Sequence, residues 1–141
     1  MIFDIFFKKE FYPTHGDNEQ LMYFEAGKAF KDLALALELP LGNAREIHET
    51  FSTILSILTG LKFTIENIGV TESKSVNKVT VCPVLNKAKE MGLDPEKCVQ
   101  TTCDAYTKSI VEHLNHKYTH YFNKTMCEGG SYCEGVIEYR E

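Results

Sequence analysis

The hydrophobic period of this chain changes at Gly60, and that change limits what it can fold into. From Asp17 to Leu39 the apolar residues Leu21, Phe24, Ala29, Phe30, Leu33 and Leu37 recur at helical spacing until Pro40 stops the pattern, which predicts a helix with one buried stripe. A second helix is expected after Asn43, a good N-cap, with Ile47, Phe51, Ile54, Leu55 and Leu58 on one face and Gly60 as its C-cap. The short LPLGN segment between them suggests an antiparallel pair.

Beyond Gly60 the apolar residues nearly alternate. KFTIENIGVTE and SVNKVTVCPV are rich in Val, Ile and Thr, and they read as a hairpin joined around Ser73-Lys74-Ser75. VLNKAKEMG predicts a short helix ending at Gly92. Asp94 as N-cap and Pro95 at the first helical position start another over DPEKCVQTTCDAYTKSIVEHLNH. KYTHYFNKTMC and CEGVIEYR are strand-like runs around EGGSY, whose glycines supply the positive φ of a tight connection. Helix, helix, hairpin, helices, hairpin is the order of an α+β domain, with helices packed on an antiparallel sheet of about four strands. One domain over residues 1–141 is expected, divided into a helix pair over about 17–60 and a cysteine-rich half over about 61–141. The opening IFDIFF reads as an edge strand or as an arm that docks on a partner, which leaves a homodimer open.

A formal net charge of −5 argues against nucleic acid as a partner, because that binding is largely neutralisation of phosphates by Lys and Arg. No apolar run approaches the roughly 20 residues of a bilayer span, and the first residues lack a basic leader. A cytoplasmic protein with a small-molecule ligand or substrate and no membrane partner is the expectation.

All five cysteines, Cys82, Cys98, Cys103, Cys127 and Cys133, lie in the last sixty residues. Five is an awkward number for a disulfide framework; in a reducing compartment the cluster points to metal binding or thiol chemistry. Taken singly, each cysteine also reads as a small buried hydrophobe. Cys98 and Cys103 stand roughly 500° apart around a helix axis and so do not share a stripe. Cys127 and Cys133 lie at opposite ends of the glycine turn, and Cys82 ends a strand before Pro83. The C-x4-C and C-x5-C spacings differ from paired C-x-x-C zinc knuckles, so zinc and an iron–sulfur cluster stay open as cofactors. For thiol chemistry Cys98, near a helix N-terminus, is the best placed.

His113 and His116 are one helical turn apart and His120 is in the strand beyond; placement near a helix C-terminus accounts for histidines there without a functional role. His48 is expected on the exposed face of its helix, and His15 reads the same way. Asp104 follows Cys103 and is either a ligand-orienting group or an ordinary acidic residue of an early helical turn. The phenylalanines fit a core, and a ligand pocket is expected between helices and sheet.

The runs CPVLNKAKEMGLDPEKCVQTTCDAY and NKTMCEGGSYCEGVIEY resemble the L-2-amino-thiazoline-4-carboxylic acid hydrolase family: a Cys-Pro after a strand, a Cys and an Asp at the next helix start, and a closing pattern of Lys-Thr, Glu-Gly and Cys. The same ending is similar to four-vinyl-reductase and hydrocarbon-binding domains. The likeness spans about residues 80–140. It implicates Cys82, Asp104, Thr125, Glu128, Gly129 and Cys133, with Cys98 or Cys103 as the helix thiol. Gly135 stands where the families have an aromatic residue, and Cys127 adds a thiol where they have an apolar one.

The first family implies hydrolytic opening of a cyclic C–N bond, with Cys82 and Asp104 as catalytic residues. That chemistry needs an activated water or an attacking thiolate and a proton for the departing nitrogen. The second implies a ligand-binding or sensor module for a tetrapyrrole or hydrophobic ligand. In either case a metal site would draw on Cys82, Cys98, Cys103, Cys127 and Cys133.

Overall fold

The computed structural model describes residues 17–60, 64–92, 94, 101–126 and 129–140. IFDIFF, the Asp94-Pro95 helix start, His15, Cys98, Cys127 and Glu128 therefore lie wholly or partly outside the described residues.

The chain forms α1 (Asp17–Ala36), α2 (Ala44–Thr59), β1 (Thr64–Val70), β2 (Lys74–Val81), α3 (Pro83–Glu90), α4 (Thr101–Leu114), β3 (Tyr118–Lys124) and β4 (Cys133–Tyr139). The four strands make one antiparallel sheet in the order β1-β2-β4-β3. This is the α+β architecture that the change of period predicts.

Local chemistry sets the helix ends. Asn43 accepts a hydrogen bond from Glu46 N at 2.9 Å, Glu46 reaches back to accept from Gly42 N at 2.8 Å, and Gly60 closes α2 with φ 64°. The C-terminus of α1 is a Schellman motif: Leu39 N donates to Ala34 O at 2.9 Å and Glu38 N to Leu35 O at 3.2 Å. Glu38 occupies its left-handed position, φ 55°, where glycine is usual.

The buried stripe of α1 differs from the expected one. Leu21, Phe24 and Leu37 are 59 %, 53 % and 47 % exposed, whereas Tyr23, Gly27, Phe30 and Ala34 face inward. The rotation follows from Gly27. A Cβ there would collide with the His113 ring and lie 3.0 Å from Ser109 O, so α1 and α4 meet across a position that only glycine allows. Ser109 Oγ donates to Tyr23 O at 2.7 Å and Lys31 Nζ to Leu114 O at 3.0 Å across the same contact.

The main core joins Phe30 and Ala34 of α1, Ile47 and Ile54 of α2, Val111 and Leu114 of α4, and Ile137 of β4. Phe30 and Phe51 stack at 5.7 Å. Ala44 N donates to Glu72 O at 3.0 Å, tying the start of α2 to the β1–β2 turn. The inner face of the sheet follows from strand alternation: Ser75, Asn77 and Val79 on β2, Cys133, Gly135 and Ile137 on β4, and Tyr118, His120 and Phe122 on β3. That face lies under α2 and α4, and its middle is left unfilled.

Candidate functional site: a thiol-lined cavity under two helices

The unfilled space is a cavity of about 120 Å³. Its roof is His48, Phe51, Ser52 and Leu55 of α2 with Cys103, Thr107 and Val111 of α4. Its floor includes Asn77 and Val79 of β2, Cys133, Gly135 and Ile137 of β4, and His120 and Phe122 of β3. Cys82, one residue past β2, borders it.

Three cysteines that the sequence singles out are thus brought to one space. Cys82, Cys103 and Cys133 are all half-buried. Burial pushes the Cys133 thiol up, partly offset by the Met126 N–H that its Sγ accepts at 3.2 Å, so this sulfur holds its proton at neutral pH. Cys103 Sγ lies 3.9 Å from Thr107 Oγ1. Among the described residues no three His, Cys, Asp or Glu side chains converge as a metal set requires; Cys98 and Cys127 lie outside them.

The remaining site candidates fall elsewhere. Asp104 is exposed on α4 and does not border the cavity. Thr125 is half-buried, its hydroxyl inaccessible and without a hydrogen bond among the described residues, and Gly129 has φ 95°. His113 and His116 do not form a pair: His113 Nδ1 donates to Ser109 O at 2.8 Å and its ring meets Phe24 edge-on at 4.9 Å, while His116 is exposed. A larger open groove of about 800 Å³ between α1 and α4, bordered by Leu21, Phe24 and Lys108, holds none of the thiols.

His48 corrects an expectation. It is half-buried and borders the cavity instead of standing on the exposed face of α2. It lies one turn from Ser52, so both project to the same side. Burial lowers its affinity for a proton, with Glu49 acting weakly the other way.

His120 is the most perturbed group of the site. It is 8 % exposed, and burial, reinforced by the nearby His48, lowers its pKa to about 3. The ring is neutral at any physiological pH. Its Nδ1 is inaccessible to water and has no hydrogen-bond partner among the described residues, and the same is true of Ser52 Oγ. Phe122 packs edge-on against the imidazole at 4.7 Å.

Asn77 contributes a buried polar edge to the floor. Asn67 Nδ2 donates to Asn77 Oδ1 at 2.9 Å and to Ser75 Oγ at 3.0 Å, and Asn77 Nδ2 donates to Ser75 Oγ at 3.3 Å. This ladder satisfies its own members, which His120 and Ser52 do not do. Sequence reasoning passed over His48, Ser52, Asn77 and Gly135 as site residues. The signals were present: Tyr118, His120 and Phe122 alternate along one strand, and His48 and Ser52 are i, i+4 on a helix.

No protein-family model matches the chain, and no curated protein matches it at a significant level. Among solved structures it is similar to a trafficking protein particle complex subunit 3 from Naegleria fowleri covalently bound to palmitic acid, with a TM-score of 0.56 and 10 % identity over 87 % of this chain and 78 % of that one. At that identity the likeness is one of fold.

Proposed function

We propose that this chain is a ligand-binding module whose cavity under α2 and α4 receives a small, mainly apolar group. The observation that carries the reading is the position of the cavity: it opens inside the packed layer between helices and sheet, where cores are ordinarily filled. Its volume is near that of an engineered apolar cavity that takes up benzene, so the enclosed part of a ligand is about that size. A longer chain requires the α2 and α4 side chains to part. The Naegleria fowleri subunit is covalently bound to palmitic acid. Here Cys82, Cys103 and Cys133 supply thiols beside the cavity, so an acyl group held as a thioester is a second form of the same reading. Intact mass spectrometry of the chain purified without detergent tests it. A retained adduct supports the reading, as one lost on solvent extraction if non-covalent or on hydroxylamine treatment if a thioester. The bare mass, together with no thermal stabilisation by small apolar compounds, contradicts it.

A second reading is the ring-opening hydrolysis that the sequence resemblance implies. What favours it is that three thiols, Cys82, Cys103 and Cys133, border one cavity. Cys82 would attack the ring carbon, the ring nitrogen would leave with the thiol proton, and water would then release the thioester- or thioimidate-bound product; Asp104 is left out because it stands exposed, and His120, which takes a proton only near 3, is too weak a base for the step. It ranks second because a carboxylate-bearing ring finds no Lys or Arg among the described lining residues. Turnover of a cyclic amidine that is lost in Cys82→Ala would establish it. Elemental analysis decides whether zinc or an iron–sulfur cluster accompanies the five cysteines.

A further inference from the structure

Two residues that border the cavity each carry a buried polar atom with no partner among the described residues, His120 Nδ1 and Ser52 Oγ. They come from opposite walls, the imidazole from the strand floor and the hydroxyl from the α2 roof. A buried polar atom without a partner costs free energy that a native core rarely leaves uncompensated. The neighbouring Asn67–Ser75–Asn77 ladder shows the usual outcome, in which each group finds another.

The charge of the lining narrows what the missing partner can be. None of the described lining residues is Asp, Glu, Lys or Arg. A carboxylate or an ammonium enclosed there would lose its hydration with no opposite charge to replace it. A neutral group that both gives and takes hydrogen bonds meets no such penalty, and a hydroxyl or amide serves both an imidazole nitrogen and a serine oxygen.

We propose that the cavity is selective for a neutral amphiphile, an apolar body carrying one hydroxyl- or amide-type head that pairs with His120 and Ser52. The inference rests on the ligand-binding reading above and adds to it the chemistry of the head. Gly135 belongs to the same arrangement: a Cβ there would lie 2.8 Å from His120 Nε2 and 3.5 Å from Phe122, so its absence lets the imidazole keep this position at the cavity floor.

Ordered water can meet the same two atoms, and the test separates water from a ligand head. Four probes with one five-carbon body are titrated into the full chain: 1-pentanol, 1-chloropentane, hexanoate and pentylammonium. The alcohol is expected to bind about three- to tenfold more tightly than the chloride, the worth of one net hydrogen bond. Both ions are expected to bind at least about tenfold more weakly than the alcohol. In Ser52→Ala, and independently in His120→Leu, the alcohol-to-chloride ratio should fall toward one; thermal unfolding verifies that each variant is folded.

Equal affinity for alcohol and chloride in the wild type overturns the inference, with water serving the two atoms and the cavity reading intact. Tightest binding of either ion overturns the neutrality. A ratio unchanged in both variants overturns the assignment to these two residues. If none of the four binds, the ligand-binding reading itself fails and this inference with it.

Discussion

Gly135 and His120 occupy the same stretch of the sheet's inner face, the imidazole Nε2 standing where a Cβ on residue 135 would come within 2.8 Å. Glycine inside a strand ordinarily weakens it, so alanine would be expected to help. Here the sign reverses. Gly135→Ala should cost about 1–3 kcal/mol, the usual penalty for forcing atoms into a filled space. Gly69→Ala in β1, where a Cβ meets nothing within 4 Å, is the matched control and should be neutral or mildly stabilising. Urea unfolding of the two variants checks both.

The buried imidazole makes stability depend on pH. Unfolded, histidine takes up its proton near 6.5; in place, His120 does so only near 3. Between these values the unfolded chain binds more protons, so stability is complete above pH 6.5 and falls as the pH drops, by about 1.4 kcal/mol per unit. His48 on α2 adds a slope of the same sign. The other titratable groups around the cavity are the thiols of Cys82, Cys103 and Cys133, of which Cys133 is pushed up by burial, away from this range. From pH 6.5 to 5 the wild type should lose about 2 kcal/mol more than His120→Leu. Parallel urea midpoints for the two proteins would contradict the burial of His120.

Glu38 sits at the left-handed position of the α1 Schellman motif with φ 55°. A non-glycine residue there carries a cost that glycine avoids. Glu38→Gly should therefore raise stability by about 1 kcal/mol. Thermal unfolding reads the change directly; a lower melting temperature would show that the Glu38 side chain has a stabilising role beyond its backbone.

Cys133 should be the slow thiol. Burial raises its pKa and so lowers its thiolate fraction. Iodoacetamide labelling of the native protein at pH 8, followed peptide by peptide, should alkylate Cys133 at least about tenfold more slowly than the same cysteine in urea. Rapid native labelling of Cys133 would instead indicate an activated thiolate and favour the thiol-chemistry reading.

Much of the fold was legible because its determinants are local. Asn43 and Gly60 mark the ends of α2 by hydrogen bonding and by φ, and the alternation through SVNKVTV and CEGVIEY marks strands whichever partners they find. The face of α1 was not legible. Leu21 and Phe24 fit a helical stripe as well as Tyr23 and Phe30 do, and what selects between them is the approach of α4 to Gly27, a contact far apart in sequence. The site divides in the same way. Cys82, Cys103 and Cys133 stood out by residue type and do meet at one cavity, but Asp104, chosen for its place beside Cys103, faces solvent. His48 and His120 read as surface or helix-end histidines, because only the closing of α2 over the sheet removes them from water.

Entry of a ligand between α2, α4 and the sheet can be followed residue by residue with methyl NMR during a titration with 1-pentanol. Binding there should concentrate the shifts at Leu55, Val79, Val111 and Ile137, which border the cavity, with little change at the exposed Leu21, Leu35 and Ile57. Shifts confined to the exposed methyls, or none at saturating alcohol, would contradict it.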